Sequence, residues 1–145
     1  LITDLATAGS TPVLNEVMRF SAARQRLLVH NIANMDTPDF RPADVSVTKF
    51  QRALADAVEK RRGGCGGGQV GRLERVESRE IARDGNRMIL KPQTNRGGVL
   101  YHDRNNRDVE RLMQDLAENA LVYRTASDLL RRQTDVLRVA ISQRV

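Results

Sequence analysis

The chain has 145 residues, of which 40% are hydrophobic but only 3% aromatic and none tryptophan. A globule of this length normally anchors its core on more large rings, so long seams of Leu, Val and Ala between helices are expected instead. The formal charge is +6, yet 18 acidic residues are interspersed among 24 basic ones, which favours solvated helix faces and ion pairs over a dedicated track for a polyanion.

In chain order, "LITDLATAGSTPVLNEV" lacks a basic start followed by an apolar core, so no cleaved secretory signal is expected. The first long helix is expected from Thr11–Pro12, with Thr11 as cap and Pro12 at the first helical position. Leu14, Met18, Ser21, Gln25, Leu28 and Ile32 follow alternating steps of four and three, and Val13, Phe20 and Leu27 form a neighbouring row at seven-residue steps. Together they make one broad apolar stripe, with Arg19, Arg24 and Arg26 on the polar face.

The segment 31–42, "NIANMDTPDFRP", ends this helix. Pro38 lacks an amide hydrogen and pushes Thr37 out of the helical region. Asn34 is expected as a left-handed closing residue, and Asp36-Thr37-Pro38-Asp39 as a turn into an extended segment that Phe40 pins. Asn31, one turn earlier, falls on the buried side, where its amide needs partners.

A shorter helix is expected from Thr48 to about Lys60, with Thr48 and Gln51 at capping-box spacing and Phe50, Leu54 and Val58 on one face. "KRRGGCGGGQVG" then gives a basic helix end and a flexible glycine run. Its single cysteine, Cys65, cannot close an internal disulfide. The stretch "ESREIARDGNRMILKP" is either a small hairpin turning at Asp84-Gly85-Asn86 or an irregular loop.

The last helix has Asn106 as candidate cap, with Asp108 and Glu110 near its positive end. Val109, Leu112, Leu116, Asn119, Tyr123, Ala126, Leu130, Gln133, Leu137 and Ala140 alternate steps of three and four, flanked by Met113, Ala120, Ser127, Thr134 and Ile141. A helix of roughly 50 Å needs a partner along its length, and the N-terminal helix supplies only part of one. No apolar run approaches the roughly 18 residues of a membrane span.

The expected fold is therefore mainly α. Elongated N- and C-terminal helices pack as a coiled-coil-like hairpin, with a short middle helix and a flexible central region that either does or does not carry the hairpin. The corresponding divisions are residues 1–45, 46–62, 63–104 and 105–145, the first and last forming one domain.

No catalytic arrangement is legible. His30 and His102 lie in different segments, the glycine run lacks the Lys-Ser/Thr of a phosphate loop, and the carboxylates sit mostly beside Arg at spacings of solvated helix faces. No Ser–His–Asp or Cys–His set has local support. A protein without enzymatic activity, cofactor or metal is expected.

Asn31, Ile32, Ala33, Asn34, Thr37, Pro38 and Phe40 resemble the N-terminal signature of the bacterial flagellar rod and hook family, Asn-Ile-Ala-Asn-x-x-Thr-Pro-Gly-Tyr/Phe, with Asp39 in place of the usual Gly. "NNRDVERLMQDLAENALVYRTASDLLRRQTDVLRVAIS" resembles the C-terminal helix of the same family, with Arg104 and Arg107 where Gly and Val are usual. Leu116-Ala117-Glu118-Asn119-Ala120-Leu121-x-Tyr123 and the ending Leu137-Arg138-x-Ala140-Ile141 are most similar to its proximal-rod members. The likeness covers both ends, somewhat over half of the chain.

The resemblance implies an axial structural subunit whose terminal helices pack as the inner layer of a helical tube. It implies export through the flagellar type III apparatus without a cleaved signal peptide, and a place in the rod of the basal body, in the periplasmic space above the MS ring. The implied partners are further copies of the chain, other rod proteins, the rod adapter protein and the MS ring. Torque transmission is the implied role, with Leu14, Met18, Leu28, Val109, Leu112, Leu116, Asn119, Tyr123, Leu130, Leu137 and Ile141 as the packing seam. Another short rod protein of the family is the alternative within it. Outside it, a basic helical nucleic-acid binder needs Arg clustered on one face, whereas these are spread over several segments, and a cytosolic coiled-coil adaptor needs no flagellar export.

Overall fold

The computed structural model describes residues 9–63, 73–85, 87–94 and 109–142. It is mainly helical: α1 (Thr11–Ala33), β1 (Ala43–Asp44), α2 (Val47–Gly63), β2 (Ile81–Asp84), β3 (Arg87–Leu90), β4 (Gln93–Thr94) and α3 (Val109–Ser142). The glycine run with Cys65, His102 and the expected cap Asn106 lie outside the described residues.

Helix α1 begins at Thr11 with Pro12 in its first turn, where a missing amide hydrogen costs nothing. Its capping position is Ser10 rather than Thr11, and the Ser10 hydroxyl makes no cap bond. It donates instead to Gln133 Oε1 of α3, at 3.1 Å. Further along, the Asn119 amide donates to the Ser21 carbonyl at 2.9 Å and to Gln25 Oε1 at 2.8 Å. The contacts advance along α1 as they retreat along α3, so the two helices run antiparallel.

The two apolar rows of α1 serve two partners, not one broad interface. The row holding Ser21, Gln25 and Leu28 meets α3. The row of Val13, Phe20 and Leu27, joined by Val17, meets the main core. That core is built by Phe20, Val45, Phe50, Leu54, Ala57, Val76, Ile81 and Met88. Phe20 and Phe50 stack with centroids 3.9 Å apart and an interplanar angle of 2°. The described part of the centre is therefore not a loose region: Val76, Ile81 and Met88 are buried, and burying such side chains contributes about 1.5–3 kcal/mol each.

Strands β2 and β3 form the hairpin, with Asp84 paired to Arg87 and Gly85 at φ 56°, as a tight two-residue connection requires. Separately, β1 pairs antiparallel with β4, Ala43 opposite Thr94.

Helix α2 starts at Val47, earlier than its sequence suggests, because its cap is Ser46 and not Thr48. Ser46 Oγ accepts from the Lys49 amide at 3.3 Å, and the Ser46 amide donates to Glu80 Oε2 at 2.9 Å. Lys49 is ion-paired with that same carboxylate. The arrangement does the work of a capping box, but the acid comes from the approach to β2. Thr48 and Gln51 point to solvent. Hydrogen bonds from Lys49 and the Ser46 amide hold the Glu80 carboxyl below its ordinary value despite burial.

Two further buried charges tie elements together. Glu16 of α1 pairs with Arg83 of β2, and Arg61 near the end of α2 donates to the Gly9 carbonyl at 2.9 Å.

Candidate functional site

The segment at the end of α1 is a compact device built from its own residues. Asn34 closes the helix, but with φ −107° it is not left-handed. Its backbone amide and its side-chain Nδ2 both reach the His30 carbonyl, at 3.2 and 2.8 Å. One residue thus satisfies an end-of-helix carbonyl twice. The chain then takes two successive turns, with the Thr37 amide on the Asn34 carbonyl at 3.0 Å and the Phe40 amide on the Thr37 carbonyl at 3.2 Å.

The second turn is Thr37-Pro38-Asp39-Phe40, one residue later than the sequence suggests. Pro38 occupies its second position and Asp39, at φ 59°, its third. Proline followed by a residue of positive φ is the pattern of a type II turn. Asp39 is the sole non-glycine residue with positive φ among the described residues. It stands where the flagellar signature carries Gly, and Asp is among the few other residues that tolerate this region. The left-handed position expected at Asn34 is therefore at Asp39.

Beyond the turn, the Phe40 ring returns to the helix and meets the exposed His30 imidazole edge-on, with centroids 5.9 Å apart at 70°. Then β1 passes the buried side of α1. Asn31, 1% exposed, donates from Nδ2 to the Ala43 carbonyl at 2.7 Å and accepts from the Ala43 amide at 3.3 Å. Its side chain thus pairs with both backbone groups of one residue, as a neighbouring strand would.

Arg24 completes the clamp. It is buried, not on the polar face: it grips Asp44 through Nε at 3.1 Å and Nη2 at 2.6 Å, and Nη2 also reaches Asp115 of α3 at 3.1 Å. Burial pulls the Arg24 guanidinium down, but the two carboxylates outweigh it and hold the group above its ordinary value. A cavity of about 210 Å³ lies among Arg24, Leu28, Asn31, Ala43, Leu112 and Asp115. Its central charges, Arg24, Asp44 and Asp115, are paired with one another. Among the described residues no group of three His, Cys, Asp or Glu is placed to hold a metal ion, and no helix is long and apolar enough to cross a membrane.

The other signature residues sit at the surface or half-buried: Ala33, Thr37 and Pro38 exposed, Ile32 and Phe40 half-buried. Of the seam residues, Leu28, Leu112 and Asn119 are buried, and Leu14, Met18, Val109, Leu116, Leu130 and Leu137 are half-buried. Tyr123 and Ile141 differ, being 41% and 60% exposed. On either side of Tyr123 the seam buries the smaller side chains Asn119 and Ala126, and the larger tyrosine ring is left partly outside it. Ile141 lies beyond Gln133, which already faces the residue preceding α1. Sequence reasoning missed Arg24, Asp44, Asp115 and Ala43, which bind the motif to both long helices. No protein-family model matches this chain, and no curated protein is similar to it at a significant level.

Proposed function

We propose that this chain is a structural, non-enzymatic subunit of the bacterial flagellar rod, of the proximal type, which assembles helically above the MS ring and transmits torque. In this reading α1 and α3 form a coiled-coil-like hairpin in the inner layer of the tube. The residues between them fold back on α1 as an outer part. The observation that carries the reading is the motif at the end of α1. Its Asn, Thr-Pro and aromatic residues match the flagellar signature, and the position where that signature has Gly is the one that needs a positive φ.

The physical form suits the role. Val122, Leu129, Val136, Val139 and Ile141 of α3 are all at least 46% exposed, apolar surface that neighbouring subunits would cover. Open, head-to-tail contacts generate helical tubes rather than closed rings. Export through the flagellar type III apparatus, and contacts with other rod proteins, the rod adapter protein and the MS ring, belong to the same proposal.

The test is incorporation. A chain carrying Asn34→Ala and Pro38→Ala keeps most of its helicity, because the replaced residues lie at or beyond the helix end. It is expected to be exported but depleted from purified basal bodies. Full incorporation of this double variant would refute the assembly role of the motif.

A further inference from the structure

The side of α3 turned away from α1 carries a second pattern. Arg124, Asp128, Arg131, Asp135 and Arg138 follow one another at steps of four, three, four and three residues. At 3.6 residues per turn they form one stripe, opposite the Leu112, Asn119 and Ala126 side that is buried. All five are exposed. None of the five side chains makes an ion pair or a hydrogen bond with another described residue; the Arg131 backbone carbonyl accepts from the Thr134 hydroxyl. The charges do not neutralise one another along the helix either. The base-first pairs Arg124–Asp128 and Arg131–Asp135, the weaker orientation, do not close, and neither do the acid-first pairs Asp128–Arg131 and Asp135–Arg138.

The stripe has the spacing of a helix–helix seam, with Arg at every first position and Asp at every second. In a parallel pair of such seams each layer brings together equivalent positions, so Arg faces Arg and Asp faces Asp. In an antiparallel pair the layers mix the two positions. A second α3 laid antiparallel, with its two-fold axis between residues 129 and 130, sets Arg124 against Asp135 of the other copy and Asp128 against Arg131. The symmetry repeats both contacts, giving four opposite-charge layers. Leu121, 64% exposed, continues the stripe and meets the aliphatic stem of Arg138 of the second copy.

We propose that two copies of this chain pair through this stripe as a closed, antiparallel, salt-sensitive homodimer. A two-fold contact uses the same patch on both copies and leaves nothing along it for a third. The pair is thus a form distinct from any open helical array, and the inference does not rest on the rod reading.

The experiment is analytical ultracentrifugation of the full chain under reducing conditions, which keeps Cys65 from linking copies. Two surface variants are compared: an acidic one (Arg124→Glu, Arg131→Glu, Arg138→Glu) and a basic one (Asp128→Arg, Asp135→Arg). The wild type is expected to show a reversible monomer–dimer equilibrium that weakens as salt rises from about 50 to 500 mM, since exposed charges are screened. Each variant alone is expected to dimerise at least about tenfold more weakly, because like charges then face each other. An equimolar mixture is expected to restore the dimer, and that rescue also shows that both variants fold. Dimerisation of either variant at wild-type strength, no rescue on mixing, open-ended oligomers or a wild type that stays monomeric at low salt would each overturn the proposal.

Discussion

Replacing Asn31 tests whether the clamp, and not helix propensity, fixes the path of the chain after α1. The side chain is 1% exposed and makes two hydrogen bonds to the backbone of Ala43, at 2.7 and 3.3 Å. In Asn31→Ala both bonds are lost, and each contributes about 1 kcal/mol net, while a buried group left unpaired costs about 1–3 kcal/mol. Ala43 is half-buried, so water recovers part of that loss, and a total of about 2–3 kcal/mol is expected. With a urea slope of about 1–3 kcal/mol per M, the unfolding midpoint drops by about 0.7–3 M. Asn31→Asp gives a sharper signature. The introduced carboxyl still accepts from the Ala43 amide, but its second oxygen now faces the Ala43 carbonyl. Burial and that carbonyl raise its folded pKa above the unfolded value, so the penalty is full at neutral pH and is relieved as pH falls through the folded pKa. This variant is therefore expected to narrow its deficit against the wild type as pH drops from about 7 to 5. An Asn31→Ala midpoint within experimental scatter of the wild type, or an Asn31→Asp deficit that ignores pH, would refute the reasoning.

Arg24→Met leaves Asp44 and Asp115 without their shared cation. Both carboxylates are about a third exposed, so a loss of about 2–3 kcal/mol in urea unfolding is expected, below the range for fully buried pairs. At Asp39, Gly is expected to be neutral or stabilising by up to about 1 kcal/mol, while Val destabilises by about 1–2 kcal/mol because a branched side chain resists a φ of 59°; thermal melts of the two variants decide. Glu80 has a folded pKa below its ordinary value of 4.5. Its contribution is complete above the unfolded pKa and is lost as pH falls through 4.5 toward the folded value. Glu80→Gln is expected to flatten the acid limb of the stability–pH curve below that pH, leaving its neutral limb offset but parallel.

The long helices were readable because their signals are local. Steps of three and four mark α1 and α3, Pro12 marks the start of α1, and Pro38 marks the end of its path. Charge pairing over long separations was not readable. Arg24 looks like a solvated residue between Ala23 and Gln25, and its partners lie 20 and 91 positions away. Glu80 caps a helix that begins 33 residues earlier, so the nearer Thr48–Gln51 spacing was the stronger local signal. The core of the centre was hidden for another reason. Val76 stands alone between Arg75 and Glu77, and Ile81 follows Glu80; the register of β2 on β3, with Ile81 opposite Leu90 and Arg83 opposite Met88, puts Ile81 and Met88 on one face. At the turn, Asp39 and not a glycine takes the positive φ, so Asn34 at the helix end was the stronger left-handed signal.

Assembly into the rod is tested by electron microscopy of purified basal bodies. A strain lacking this chain is compared with one complemented by a tagged copy. The MS ring is expected to persist without the chain while the rod is lost, and the tag to label the base of the restored rod. Normal rods and normal motility in the absence of the chain would contradict its assembly into the rod.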